Sequence, residues 1–104
     1  MRLIHELALF EKAPNEVIAT EETLLKYGFG ENPLFISWVA EMQGNVVGMA
    51  LCYIRYSTWK GPVLYLEDLV VTENARGMGI GKALFEQCID YAKTQNYSRM
   101  IWQV

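Results

Sequence analysis

The chain has 104 residues, 52% hydrophobic and 20% charged, with a formal net charge of -3. That length holds one domain around one modest core and excludes two, and that composition excludes a disordered tail. A negative balance without a concentrated basic face excludes nucleic acid as the main partner.

The first segment places Leu3, Ile4, Leu7 and Ala8 at helical spacing among His5, Glu6, Glu11 and Lys12, which predicts an amphipathic helix ending before Pro14. It is not read as a signal peptide. A second, short helix is predicted from the N-cap Thr20, with Glu21 and Glu22 in its first turn and Gly28 as its stop. Phe35 to Met42, the turn Gln43-Gly44-Asn45 and Val46 to Tyr56 then read as a β-hairpin. A second turn, Thr58 to Pro62, leads to Val63 through Val71, so three strands form an antiparallel meander.

A polar loop, Thr72 to Ala75, precedes a third helix with Ile80, Ala83, Leu84, Cys88, Ile89 and Ala92 on its apolar face, ending near Gln95-Asn96. Arg99 to Val104 reads as a further strand, parallel to the one before the loop because the intervening helix makes a right-handed crossover. The predicted order is α-α-β-β-β-α-β, an α/β (α+β) fold with a mixed sheet.

No apolar run approaches the roughly 20 residues that cross a bilayer, so no membrane partner is expected. Cys52 and Cys88 lie in apolar stretches and read as reduced core residues of a cytoplasmic protein. His5 is the sole histidine and is distant in sequence from both cysteines, so neither thiol gains an activating base, and no Cys/His cluster indicates a metal. Trp38, Tyr53, Tyr56 and Tyr65 read as sheet packing.

The segment that carries chemistry is Arg76-Gly77-Met78-Gly79-Ile80-Gly81-Lys82, between a strand and a helix. Alternating glycines permit backbone angles at which successive N–H groups converge on one anion. The helix N-terminus adds partial positive charge and unpaired donors, and Arg76 and Lys82 add full charges on either side. This is the chemistry of a pyrophosphate cradle; the plain alternative is a flexible loop that binds nothing. A dinucleotide fingerprint is excluded by Lys82, and a P-loop by Arg76 and Ala83.

Arg-Gly-x-Gly-x-Gly after a β-meander resembles the GNAT family of N-acetyltransferases, and the resemblance runs the length of the chain. It is similar in particular to the diamine (spermidine/spermine) and thialysine branch, through TEETLLKYGFGENPLF, YIRYSTWKG and LYLEDLVVTENARGMGIGKALFE. The resemblance implies acetyl-CoA as co-substrate and a primary amine of a small cationic metabolite as acceptor. It implies that main-chain groups of Leu69, Val70 and Val71 pair with the pantetheine arm, and that Arg76, Gly77, Met78, Gly79, Ile80, Gly81 and Lys82 hold the pyrophosphate. Glu67 becomes the base, acting through water. Phe10, Glu11 and Glu67 line the amine pocket, flanked by Ile101, Trp102 and Gln103. On residue type alone, the solvated side chain of an alternating strand is the favoured reading of Glu67, and surface charge at a helix end that of Glu11.

Set against that family, the chain is expected to be a single domain over residues 1–104 that lacks a first strand, a C-terminal helix and further strands, and with them a tyrosine that protonates the departing thiolate. An open edge on its last strand predicts a homodimer. Two other readings stand beside the small-amine one: an acetyltransferase acting on a protein or peptide amine, and a non-catalytic fragment that binds acyl-coenzyme A or a partner.

Overall fold

The computed structural model describes residues 2, 4 and 20–102. Of the first predicted helix only Arg2 and Ile4 are described, both helical. His5, Phe10, Glu11 and Gln103 lie outside the described residues.

Helix α1 (Glu21–Phe29) starts where the sequence places it. Thr20 is extended, its Oγ1 accepts from the Thr23 N–H at 3.2 Å, and Thr23 Oγ1 accepts from the Thr20 N–H at 2.9 Å. This reciprocal cap satisfies two donors that a helix start otherwise leaves open. Gly28 does not stop the helix, which runs through it to Phe29 and caps at Gly30. The reason lies in packing: a Cβ on Gly28 would stand 2.4 Å from the Phe35 ring, so the glycine serves a close approach by the returning chain.

Strands β1 (Ile36–Met42), β2 (Asn45–Ser57) and β3 (Gly61–Val71) form the meander. Gln43 and Gly44 both take positive φ, 52° and 81°, as a two-residue hairpin turn of the type that matches strand twist requires. β3 begins at Gly61 rather than Val63, because Gly61 and Pro62 already pair with Ser57 and Tyr56. Helix α2 (Ile80–Thr94) follows a short 3-10 turn, Glu73–Ala75. It leads to β4 (Met100–Trp102), which pairs with β3 in parallel, Leu64 with Met100 through Leu66 with Trp102. The sheet order is β1-β2-β3-β4, the mixed sheet expected of the crossover.

One face of this sheet is sealed by α2, whose Leu84, Cys88 and Ala92 bury against Ala50, Cys52, Leu64 and Leu66. Gly48 allows the approach: a Cβ there would stand 3.0 Å from Ile80 Cγ2 and 3.1 Å from Leu84 Cδ1. Both cysteines are free and fully buried, with Cys52 Sγ donating to Cys88 Sγ at 3.6 Å. Trp38 packs edge-on against Tyr91, and Tyr53 lies tilted at 34° against Tyr65, as sheet residues should. Tyr56 departs from that expectation. It stands in solvent with Trp59, because the β2–β3 hairpin runs on past the end of the core.

Candidate functional site

The glycine loop joins the end of β3 to the start of α2. Gly77 and Gly79 have φ of 84° and 79°, a region closed to most side chains, and a Cβ on either would meet nothing within 4 Å. Their outer side is therefore open space. Gly79 is the N-cap of α2, and its carbonyl accepts the first helical bond, from Ala83 N at 3.0 Å. The amides of Ile80, Gly81 and Lys82 precede that bond and have no partner within the helix. Gly81 differs from its two neighbours: it is helical, and a Cβ there would make an ordinary contact, 3.7 Å from Val71 Cγ2.

The flanking cations are arranged differently from each other. Arg76 folds back, its Nε donating to the Val71 carbonyl at 3.1 Å. Lys82 projects into solvent from the first turn of α2, 4.0 Å from Glu86 one turn on. Such an exposed pair holds it only weakly, at about 0.5 kcal/mol. Met78 is exposed between the two left-handed glycines.

Above the loop, β3 carries an irregularity that sequence periodicity does not reveal. Leu51 pairs with Asp68 and Cys52 with Leu66, leaving Glu67 as an extra residue, a β-bulge. Glu67 is exposed there. Among the described residues, pairing with β4 runs as far as Leu66, and the β3 edge beyond it has no strand partner. Thr72 N donates to the Val47 carbonyl on β2 at 2.8 Å. Main-chain direction alternates along a strand, so Val70 likewise turns its groups to β2, while Leu69 and Val71 turn theirs to the open edge.

Side chains divide between the two faces of the sheet in the same manner. Residues paired across strands share a face. Leu69 and Val71 pair with Ala50 and Gly48, both against α2, and so lie on the α2 face. Trp102, beside Leu66, lies on that face too and touches Phe85 of α2. Ile101, beside Tyr65, and Asp68, beside Leu51, lie on the opposite face. Glu67 sits where the alternation resets. The structure thus brings Leu69, Val71, Gly77, Gly79, Trp102 and the first turn of α2 around one open edge, and sets Ile101 behind it. Phe85 is not singled out by its sequence position; only the contact with Trp102 draws attention to it. Among the described residues no group of three or more His, Cys, Asp or Glu is placed to hold a metal.

Fold and site define a mixed α/β protein with an outward-facing glycine loop at a strand–helix junction. The profile of the Acetyltransferase (GNAT) family matches residues 2–104, and the chain belongs to that family. It is 44% identical to the thialysine N-epsilon-acetyltransferase of Mus musculus, over 95% of this chain and 63% of that protein. It is 40% identical to the human spermidine/spermine N(1)-acetyltransferase-like protein 1, over 90% of this chain and 14% of that protein. Among solved structures, an aminoglycoside acetyltransferase from an uncultured soil metagenomic sample, in complex with sisomicin, superposes with a TM-score of 0.80 at 24% identity. That match covers 99% of this chain and 67% of that one. The chain spans about 63% of the length of the thialysine acetyltransferases it matches. No described helix is long and apolar enough to cross a membrane.

Proposed function

We propose that this protein transfers an acetyl group from acetyl-CoA to a primary amine of a small cationic metabolite, a polyamine or lysine analogue. The observation that carries the reading is the pair of left-handed glycines opening onto the N-terminus of α2, next to an edge of β3 that has no strand partner among the described residues. The residues fit the coenzyme: Gly77, Gly79 and the amides of Ile80, Gly81 and Lys82 take the pyrophosphate at a positive helix end. Arg76, braced on Val71, and Lys82 add charge. Leu69 and Val71 offer the pantetheine amides an edge to pair with, as an added strand would.

When bound, the coenzyme supplies an activated acetyl thioester. An alkylammonium, with a pKa of about 10, has to lose a proton before its nitrogen can attack. Glu67, exposed at the bulge, attracts the cation and takes that proton through water. An N–H of the open β3 edge donates to the thioester oxygen as negative charge builds on it. The amine nitrogen bonds to the acetyl carbon, the carbon–sulfur bond breaks, and the surplus proton still on nitrogen passes to the departing thiolate, leaving a neutral amide and a free thiol. The 40–44% identity to relatives named for thialysine and for spermidine/spermine supports an acceptor of that size and charge. Two copies of the chain acting together belong to the same proposal.

Calorimetric titration with acetyl-CoA, followed by thiol release in the presence of spermidine, thialysine or a lysine peptide, tests the reading. Thiol release is expected with the small amines and weakly with the peptide; binding without release for any amine would reduce the protein to a coenzyme-binding fragment. Glu67→Gln is expected to lower turnover about 10²-fold at neutral pH with coenzyme affinity unchanged. The deficit should shrink toward pH 10, where the amine loses its proton unaided.

A further inference from the structure

Cys52 on β2 and Cys88 on α2 are 36 residues apart in sequence and meet in the centre of the core, with no exposed surface on either. Ala50, Leu64, Leu66, Leu84 and Ala92 surround them. No polar or charged residue is buried among the described residues, so these thiols are the reactive groups of an otherwise inert layer. Acetyl transfer uses neither. They face each other across the interface that holds α2 on the sheet: Gly48, four residues earlier on β2, lies against Ile80 and Leu84 of the same helix. Cys52 Sγ donates to Cys88 Sγ at 3.6 Å, and this hydrogen bond holds the Cys88 thiol below its ordinary value despite its burial. A disulfide bond is about 2.05 Å long, so rotation of the two side chains and a small approach of the helix would close the gap.

We propose that Cys52 and Cys88 form a modification site, a thiol pair that hydrogen peroxide converts into a disulfide tying α2 to β2. The Cys88 sulfur, made the better nucleophile by the bond it accepts, attacks one peroxide oxygen. The O–O bond breaks, the departing hydroxide takes the Cys88 proton as water, and a sulfenic acid remains. The Cys52 sulfur then attacks the Cys88 sulfur; the S–S bond forms, the S–O bond breaks, and hydroxide leaves with the Cys52 proton as a second water. Two thiols lose two electrons, and one peroxide is reduced to two waters. Hydrogen peroxide is close to water in size, so a brief local opening beside α2 admits it to sulfurs that larger oxidants do not reach. The link would grip α2 two turns beyond its start at Ile80, about 12 Å along the axis. It needs no coenzyme, and so stands or falls apart from the function proposed above.

The reduced protein would be treated with hydrogen peroxide in native buffer, quenched, and examined by intact mass, by non-reducing peptide mapping and by thermal melting. The expected product is a monomer lighter by two hydrogens, in which the Cys52 peptide is joined to the Cys88 peptide and dithiothreitol separates them. Because the link restricts the unfolded chain over 36 residues, Tm should rise by about 10 °C and return on reduction. Cys52→Ala and Cys88→Ala should show neither the link nor the peroxide-dependent rise; the peptide map of the unaltered protein decides the matter even where a variant fails to fold. Thiols left unreacted in native buffer, a link that forms only in unfolding urea, sulfinic or sulfonic acids in its place, or a linked protein that melts below the reduced one would each overturn the proposal.

Discussion

Three glycines spaced alike do two different jobs. Gly77 and Gly79 occupy left-handed backbone, whereas Gly81 is an ordinary helical residue at which a Cβ would rest in normal contact with Val71. Gly79→Ala is expected to cost about 1–2 kcal/mol by urea denaturation, from backbone strain alone, since its Cβ meets no protein atom. It should also weaken coenzyme A binding far more than Gly81→Ala. Equal losses at the two positions would refute the assignment. The buried thiols make a second point at this scale. The hydrogen bond to Cys88 and burial push the Cys52 thiol well above its ordinary value. The folded state then keeps a proton that the unfolded chain releases above about pH 8.5, so this contribution is intact below that pH and declines as pH rises. The urea midpoint should fall more steeply between pH 8 and 10 in the unaltered protein than in Cys52→Ala.

At the scale of elements, α2 does most of the organising. It closes one face of the sheet, turns the chain so that β4 lies parallel to β3, and presents its N-terminus at the end of β3. All three depend on how closely it can lie on β2, and Gly48 sets that distance. Gly48→Val is expected to cost about 1–3 kcal/mol, read from urea denaturation, because the added methyls run into Ile80, Leu84 and the Val70 carbonyl. Coenzyme affinity should fall with it, since the helix start would move off the loop. An unchanged affinity in a folded variant would show that the loop holds its shape without α2.

For the molecule as a whole, a net charge of -3 means that a polyanion gains nothing from general attraction. A ligand bearing phosphates must be held by local donors. Coenzyme A at a hundred times its Kd should stabilise the fold by about 2.7 kcal/mol, a rise in Tm of roughly 10–20 °C for a domain of this size. A DNA oligonucleotide at equal phosphate concentration should leave Tm unchanged. A matching rise with DNA would mean that the loop is a general anion site and not a coenzyme cradle.

Local chemistry determined much of this protein. Thr20 caps its helix, Gln43-Gly44 turns its hairpin, the helical period from Ile80 places α2, and the right-handed crossover makes β4 parallel. Each rule acts within a few residues or follows from chain handedness, so each is legible in one dimension. The glycine loop is legible for the same reason, because positive φ is a local demand. What only the tertiary structure decided is what depends on a partner far along the chain. The bulge at Glu67 exists because β2 pairs one residue against two. Gly28 is a packing residue because Phe35 returns over it, and Tyr56 is exposed because the hairpin outruns the core. Trp102 faces the α2 side because its register with Leu66 puts it there, next to a phenylalanine that nothing in the sequence marks. Register and cross-strand contact are set by the sum of burial over the whole sheet, and no short segment contains that sum.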